Sequence, residues 1–201
     1  DSLFQEGENT THYSIIDQNG NVVSNTYTLG YSFGSGVTIP GTGILLDNQM
    51  NNFAYQYGNP EVIDRSASIG NRLEPGKRPM STMTPVIIFD ENNELKLITG
   101  SPGGALIPAA VLRVITGIID FNLNLGEATM LPRIHKDWPY KSLRLEKGFS
   151  QDTIQILESY GHEVEESKTM GSTQSILIST KGKEGFADLR RPNAGVAIQI
   201  D

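Results

Sequence analysis

Thr10-Thr11-His12-Tyr13-Ser14-Ile15-Ile16-Asp17-Gln18-Asn19-Gly20-Asn21-Val22-Val23-Ser24-Asn25-Thr26-Tyr27-Thr28-Leu29 is the stretch whose reading decides the fold. Two strand-like runs, Thr11 to Asp17 and Asn21 to Leu29, flank Asn19-Gly20. That dipeptide is the strongest two-residue hairpin signal, because its positions tolerate positive φ. A threonine just ahead of such a strand also carries chemistry. If the chain is cut before Thr10, the freed α-amine lies beside the hydroxyl and can take its proton. An α-amine titrates near pH ~8, so it is a usable base at neutral pH. Threonine with its own terminal amine is one of the known nucleophile pairings. Far downstream, Gly100-Ser101-Pro102-Gly103-Gly104 offers backbone N–H groups to a developing oxyanion with no side chain in the way.

Outward from this hairpin, Tyr31 to Gly43 reads as a Gly/Ser/Thr-rich loop and Ile44-Leu45-Leu46 as a short strand. Asp47 to Met83 is largely irregular, and an irregular stretch of that length is usually functional. Pro85 to Phe89 and Leu95 to Thr99 predict a second hairpin. Pro85-Val86-Ile87-Ile88-Phe89 is apolar on consecutive positions, which implies a strand covered on both faces. Gly103 to Ile119 predicts the longest helix, starting at the glycine pair, and Gly126 to Met130 a shorter one. Ser150 to Tyr160 opens on a serine cap and closes at Gly161. Strand-like runs follow at Ser175–Ser179, Glu184–Ala187 and Gly195–Ile200. Paired hairpins with two helices predict an α+β layered domain. Those helices cover one sheet face well and a second poorly, so a layer is missing and another chain supplies it.

The 201 residues suit one domain or a large piece of one, with 37% hydrophobic and 19% charged residues. Net charge is −7, and basic residues do not cluster beyond Lys77-Arg78 and Arg190-Arg191. Nucleic acid and anionic membrane surfaces are therefore poor partners. No apolar run reaches the ~20 residues of a bilayer span. Asp1 to Asn9 is acidic and polar, unlike a signal peptide, so a targeting segment is expected to have been removed or to lie upstream. The absence of cysteine rules out a disulfide framework, a thiol nucleophile and cysteine-based zinc sites. His12, His135 and His162 share no metal-ligand spacing, so neither a metal nor another cofactor is expected. His12 and His135 read as structural hydrogen-bonding groups, His162 as solvated, and Lys77-Arg78 as a loop anchor.

Seven motifs in order carry a family resemblance. They are Thr10-Thr11-His12-Tyr13-Ser14, Phe33-Gly34-Ser35-Gly36, Gly43-Ile44-Leu45-Leu46-Asp47-Asn48-Gln49-Met50 and Lys77-Arg78-Pro79-Met80-Ser81-Thr82-Met83. Gly100-Ser101-Pro102-Gly103-Gly104, Pro132-Arg133-Ile134-His135 and Met170-Gly171-Ser172-Thr173-Gln174-Ser175 complete the set. Together they resemble the small subunit of the gamma-glutamyltransferases, which are N-terminal-nucleophile hydrolases, from Thr10 to about Arg190. The resemblance implies a precursor that cuts itself between Asn9 and Thr10, making residues 1–9 a residual leader and 10–201 the catalytic domain. It implies an αββα four-layer sandwich completed by a large subunit from the same precursor. It also implies transfer of a γ-glutamyl group to water or an amino acid or peptide, in a bacterial protein that is secreted, periplasmic or at the cell surface.

Carried over by position, Thr10 is the nucleophile, Thr28 orients it, and Gly103 and Gly104 form the oxyanion hole. Gln49, Ser81 and Thr82 fall where the family holds the substrate's α-carboxylate and α-amine. Two positions depart from the pattern. Gly30 stands where many members have a substrate-touching asparagine, and Asn52 where most have an aspartate. An aspartate would pair with the substrate ammonium in a charge-assisted bond, whereas asparagine keeps only the acceptor. Weaker selection for the α-amine follows, with tolerance of glutaryl-type acyl groups as in the family's glutaryl-cephalosporin acylases. Alternatives stay open: Asn52 never touches substrate, Thr11 is the nucleophile, the substrate is capsule poly-γ-glutamate, or the chain is a processing-deficient structural or binding homologue.

Overall fold

The structure is a computed structural model that describes residues 10–54, 68–137 and 142–199. The leader at 1–9, and hence the Asn9 side of the expected cut, lies outside the described residues.

β1 (Thr11–Ile16) and β2 (Val22–Tyr27) form the expected hairpin, in register from Thr11 opposite Tyr27 to Ile16 opposite Val22. Asp17 organises the turn. Its Oδ1 accepts the N–H groups of Asn19 and Asn21, both at 2.8 Å, and its Oδ2 accepts the Asn21 side chain at 2.7 Å. The Asn21 side-chain bond, then its backbone bond, holds the Asp17 carboxyl below the usual carboxylate range.

A four-stranded antiparallel sheet runs in the order β3 (Val86–Phe89), β4 (Leu95–Thr99), β8 (Gln174–Ser179), β9 (Gly182–Ala187). Helix α1 (Ile107–Ile119) and the short α2 (Leu125–Met130) cover one face. Val114, Ile118, Leu125 and Ala128 meet Leu97 and Leu177 there in the buried core. Burying each such aliphatic side chain contributes about 1.5–3 kcal/mol. α2 starts on a capping box: the Asn124 side chain accepts the Glu127 N–H, and Glu127 accepts the Asn124 N–H. Ile98, turned to the opposite face by the pleat, is also fully buried. The β1–β2 hairpin packs against β4 and β8. Helices, sheet and hairpin thus stack as three layers of an α+β domain.

The hairpin is inside out. Its inward groups are polar: His12, Ser14, Ser24 and Thr26, with Ser14 Oγ donating to the Gln174 carbonyl at 2.8 Å and Ser24 Oγ to the Thr99 carbonyl at 2.9 Å. Its outward groups, Tyr13, Ile15, Val23 and Tyr27, are apolar and 44–55% exposed. A face of that kind is built to be covered.

Several expectations need correction. β3 is not covered on both faces: Ile88 packs against the helix-covered core, but Ile87 and Phe89 on the other face of this edge strand are exposed, and double coverage falls on β4 instead. Ile44-Leu45-Leu46 is no sheet strand; a single bridge joins Thr38 and Leu45 across a tight loop. Helix α1 starts at Ile107 rather than at the glycine pair, after a 3-10 turn over Gly104–Leu106. Gly103 and Gly104 have φ of 136° and 54°, outside the helical region. No ladder forms over 195–199. Val196 instead lays its side chain 2.7 Å from where a Cβ on Gly185 would sit, so this segment covers β9 by packing rather than by pairing.

A third sheet has no counterpart in the sequence pattern: β5 (Ile134–His135), β6 (Ser142–Leu145) and β7 (Glu163–Glu166), with α3 (Gln151–Ser159) crossing over between the parallel β6 and β7. Behind it lies a buried charge network. Arg133 donates to Asp188 at 2.6 Å and to the Met170 carbonyl, while Arg190 meets Glu146 at 2.8 Å and Asp188 at 3.2 Å. Two guanidinium groups and two carboxylates balance, so burial is tolerated only while all four remain. Burial outweighs Asp188 and lowers the proton affinity of Arg133, while Glu146 and Asp188 overcome burial and raise that of Arg190. Asp188→Asn strands the fully buried Arg133 charge and is expected to cost about 3–5 kcal/mol. Chemical denaturation of the variant against the wild type measures it.

Candidate active site

One more step along the hairpin register beyond Thr11 and Tyr27 sets Thr10 against Thr28. Thr10 Oγ1 donates to Thr28 Oγ1 at 3.0 Å. Thr10 is only 7% exposed, so its hydroxyl is held rather than freely rotating in solvent. The Thr28 hydroxyl oxygen also accepts the Gly30 N–H at 2.9 Å, which fixes the direction of its lone pairs. Gln49 Nε2 donates to the Thr28 carbonyl at 3.1 Å. Thr10, Thr28, Gly30 and Gln49 therefore form one bonded cluster.

Gly30 can hold no side chain as the loop stands. A Cβ there would fall 1.8 Å from Asn48 Oδ1, which in turn accepts the Tyr31 N–H at 3.0 Å. The space that an asparagine at position 30 would need is taken by Asn48. Gly30 enters the site through its backbone alone.

A second cluster gathers at the glycine loop. Thr82 Oγ1 donates to the Gly104 carbonyl at 2.7 Å, and the Gly103 carbonyl accepts the Leu106 N–H at 3.0 Å. With both carbonyls engaged, the N–H groups of Gly103 and Gly104 find no acceptor among the described residues. Two adjacent donors without acceptors are what an oxyanion requires. Ser81 accepts the Met83 N–H at 3.2 Å and is otherwise exposed. Asn52 ends the 3-10 turn Gln49–Asn52 with its side chain exposed, and its carbonyl accepts Asn71 Nδ2 at 2.6 Å. Among the described residues no hydrogen bond joins Ser81, Thr82 or Asn52 to the Thr10 cluster.

His12 joins the two halves, which goes beyond the structural hydrogen-bonding role expected of it. Its ring hydrogen-bonds Thr26 at 2.8 Å and Ser14 at 3.2 Å. It also lies flat against Gly100, where a Cβ would meet the ring at 2.2 Å. β1 is thereby seated on the root of the glycine loop. Ser101 extends the seat, its Oγ accepting the Ser172 N–H at 2.9 Å. Sequence reasoning misses Arg191 altogether: its Nη1 donates to the Thr10 carbonyl at 3.0 Å across 181 positions of sequence. The basic pair Arg190-Arg191 is the one visible signal. Among the described residues no group of three acidic or imidazole side chains is placed to hold a metal ion.

The profile of the gamma-glutamyltranspeptidase family matches residues 3–198. The glutathione hydrolase proenzyme of Escherichia coli strain K12 is 44% identical over 178 residues, which is 89% of this chain and 30% of that protein. A mutant gamma-glutamyltranspeptidase of Helicobacter pylori shares the fold with a TM-score of 0.81 at 40% identity, covering 90% of this chain and 100% of that one. A cephalosporin acylase from Bacillus halodurans gives a TM-score of 0.79 at 29% identity, over 99% of this chain and 37% of that one. The chain spans about a third of the length of the curated relatives it matches.

Burial lowers the His12 pKa to about 4 from its ordinary 6.5. The folded state therefore wants the ring neutral. This contribution is complete above pH 6.5 and is lost as pH falls from there toward 4, because the unfolded chain binds the proton first. Between pH 7 and 4.5 the wild type is expected to lose about 2–3 kcal/mol through this group. His12→Asn cannot titrate, so denaturation measured at both pH values should show a drop smaller by that amount.

Proposed function

The chain belongs to the gamma-glutamyltranspeptidase family, and from that premise we propose that it is the catalytic portion of an N-terminal-threonine acyltransferase and hydrolase acting on γ-glutamyl amides. The observation that carries this reading is the Thr10–Thr28 hydroxyl pair at the head of β1. Self-cleavage uses the same oxygen: Thr10 Oγ1 attacks the Asn9 carbonyl, the acyl group shifts from nitrogen to oxygen, and water opens the ester. The α-amine released in that step becomes the base.

In turnover the amine takes the hydroxyl proton as Oγ1 attacks the γ-carbonyl of the substrate. The N–H groups of Gly103 and Gly104 receive the oxyanion. The proton passes to the leaving amine, and an acyl ester remains on Thr10. Water or an amine acceptor then attacks that ester, its proton returning through the α-amine. Thr28 aligns the hydroxyl, and Gly30 and Gln49 hold Thr28 in place. This reading assigns the acyl group's α-carbon substituents to Gln49, Ser81, Thr82 and Asn52. Thr82 has a second duty, since its bond to the Gly104 carbonyl keeps that peptide turned.

The outward apolar face of the hairpin supports a large partner chain from the same precursor as the fourth layer. An exported location, in the periplasm or at the cell surface, fits the same reading. Among the described residues no helix is long and apolar enough to cross a membrane.

Thr10→Ala removes the nucleophile and is expected to lower turnover of a γ-glutamyl anilide by about 10³-fold or more. Activity within about tenfold of wild type would overturn the reading. Asn52, neutral and exposed, favours a broader acyl pocket that accepts glutaryl groups. The ratio of kcat/KM for γ-glutamyl over glutaryl anilide should stay below about 100, which is as much as one neutral contact supplies.

A further inference from the structure

The guanidinium of Arg191 touches the nucleophile residue itself, at the Thr10 carbonyl, 3.0 Å away. Its neighbour Arg190 is neutralised in place: Nε and Nη2 bind both oxygens of Glu146, and Nη1 meets Asp188. Arg191 has no carboxylate partner among the described residues. Among the described residues no carboxylate compensates its charge at the point where it meets Thr10. Within any residue the amide nitrogen and carbonyl oxygen are about 3 Å apart, so the guanidinium nitrogen lies no more than about 6 Å from the Thr10 nitrogen.

We propose that Arg191 is a positioning residue for the nucleophile: it fixes the Thr10 carbonyl and, by its charge, keeps the adjoining α-amine unprotonated at the working pH. This rests on the reading of Thr10 as a nucleophile whose amine is freed by cleavage. A cation repels the ammonium form of its neighbour and leaves the neutral amine untouched, so the equilibrium shifts toward the form that can accept a proton. At about 6 Å the shift would be about two pH units at an effective dielectric constant of about 20 and about half a unit in water, so with Arg191 partly exposed it is about half to one pH unit.

Other charged groups around Thr10 do not substitute for Arg191. His12, on the same strand, is buried and hydrogen-bonded to Thr26 and Ser14. β2 brings Tyr27, opposite Thr11 and exposed. β8 carries no titratable side chain. The charged residue of β4 is Lys96, which lines a cleft with Asp90 and Glu91 at the far end of the strand from Thr99. Asp188 and Arg190, beyond β9, are absorbed by Arg133 and Glu146.

The test is the acid limb of kcat/KM, measured with a γ-glutamyl anilide on the complete, self-cleaved protein. The limb reports the base in the free enzyme. Arg191→Gln, which keeps a donor but no charge, should move it up by about half to one pH unit, and Arg191→Met by the same amount. Arg191→Lys keeps the charge and should leave it within about 0.2 unit of wild type, the precision of such profiles. A limb unmoved in Arg191→Gln, or moved equally in Arg191→Lys, overturns the proposal, since a merely structural arginine would leave the limb where it was or be lost alike in all variants. If the neutral variants do not fold, the wild type decides: screening by added salt should raise its limb, and a limb that stays or falls overturns the proposal. A wild type with no acid limb between about pH 6 and 9 removes the amine base and the nucleophile reading together. A wild-type limb that Arg191→Gln leaves in place removes only the role of Arg191.

Discussion

The contact between the Thr10 and Thr28 hydroxyl groups is set by hairpin register, and the site depends on that register. Antiparallel pairing from Ile16–Val22 to Thr11–Tyr27 leaves Thr10 and Thr28 as the next facing pair. A slip of one residue would turn every side chain of a strand to the other face. In β1 it would carry His12 and Ser14 off the central sheet and put Tyr13 and Ile15 in their place. Asp17, by gathering three donors into the turn, pins the register at its closed end. The polar bonds to the Gln174 and Thr99 carbonyls pin it along the length. A hairpin packed through hydrogen bonds gains specificity of position, while its apolar face remains free to bury against a partner.

The buried charge network acts on the same site from behind. Arg133, Glu146, Asp188 and Arg190 tie the end of α2, the end of β6 and the chain beyond β9 into one knot. The knot fixes residues 188–190 and so delivers Arg191 to the Thr10 carbonyl. It also contacts the backbone of Met170 and Thr173, next to the segment whose Ser172 and Gln174 N–H groups hold Ser101 and Gly100. A charge balance deep in the fold is thus linked to both Thr10 and the glycine loop through a few backbone hydrogen bonds.

Local signals in the sequence are legible where one rule dominates. Asn19-Gly20 announces the first hairpin and Ser150 and Gly161 bound α3, but a two-residue turn there would face Thr10 with Leu29, and it is the three-residue loop 18–20 that sets Thr10 against Thr28. Less is legible where tertiary context decides. Pro85 to Phe89 has the composition of a buried strand but lies at a sheet edge, and Gly195 to Ile198 has that of a strand but packs without pairing. The third sheet escapes because β5 has two residues and β7 reads Glu163-Val164-Glu165-Glu166, with too few apolar positions to show a period. Arg133 and Arg190 are visible as residues, but their carboxylate partners lie 55 and 44 positions away. Nothing in spacing connects them. Among the site residues, the facing of Thr10 and Thr28 belongs to one hairpin, whereas Gln49 and Arg191 reach it through contacts that close only in three dimensions.

The central claim is that Thr10 works as a free-amine nucleophile. Intact-mass spectrometry of the active protein, after reaction with a mechanism-based glutamine analogue, tests it most directly. The account predicts a chain that begins at Thr10 and carries one adduct, mapped to the Thr10 side chain. An active protein in which Thr10 is still joined to Asn9, or whose adduct maps to another residue, would contradict it.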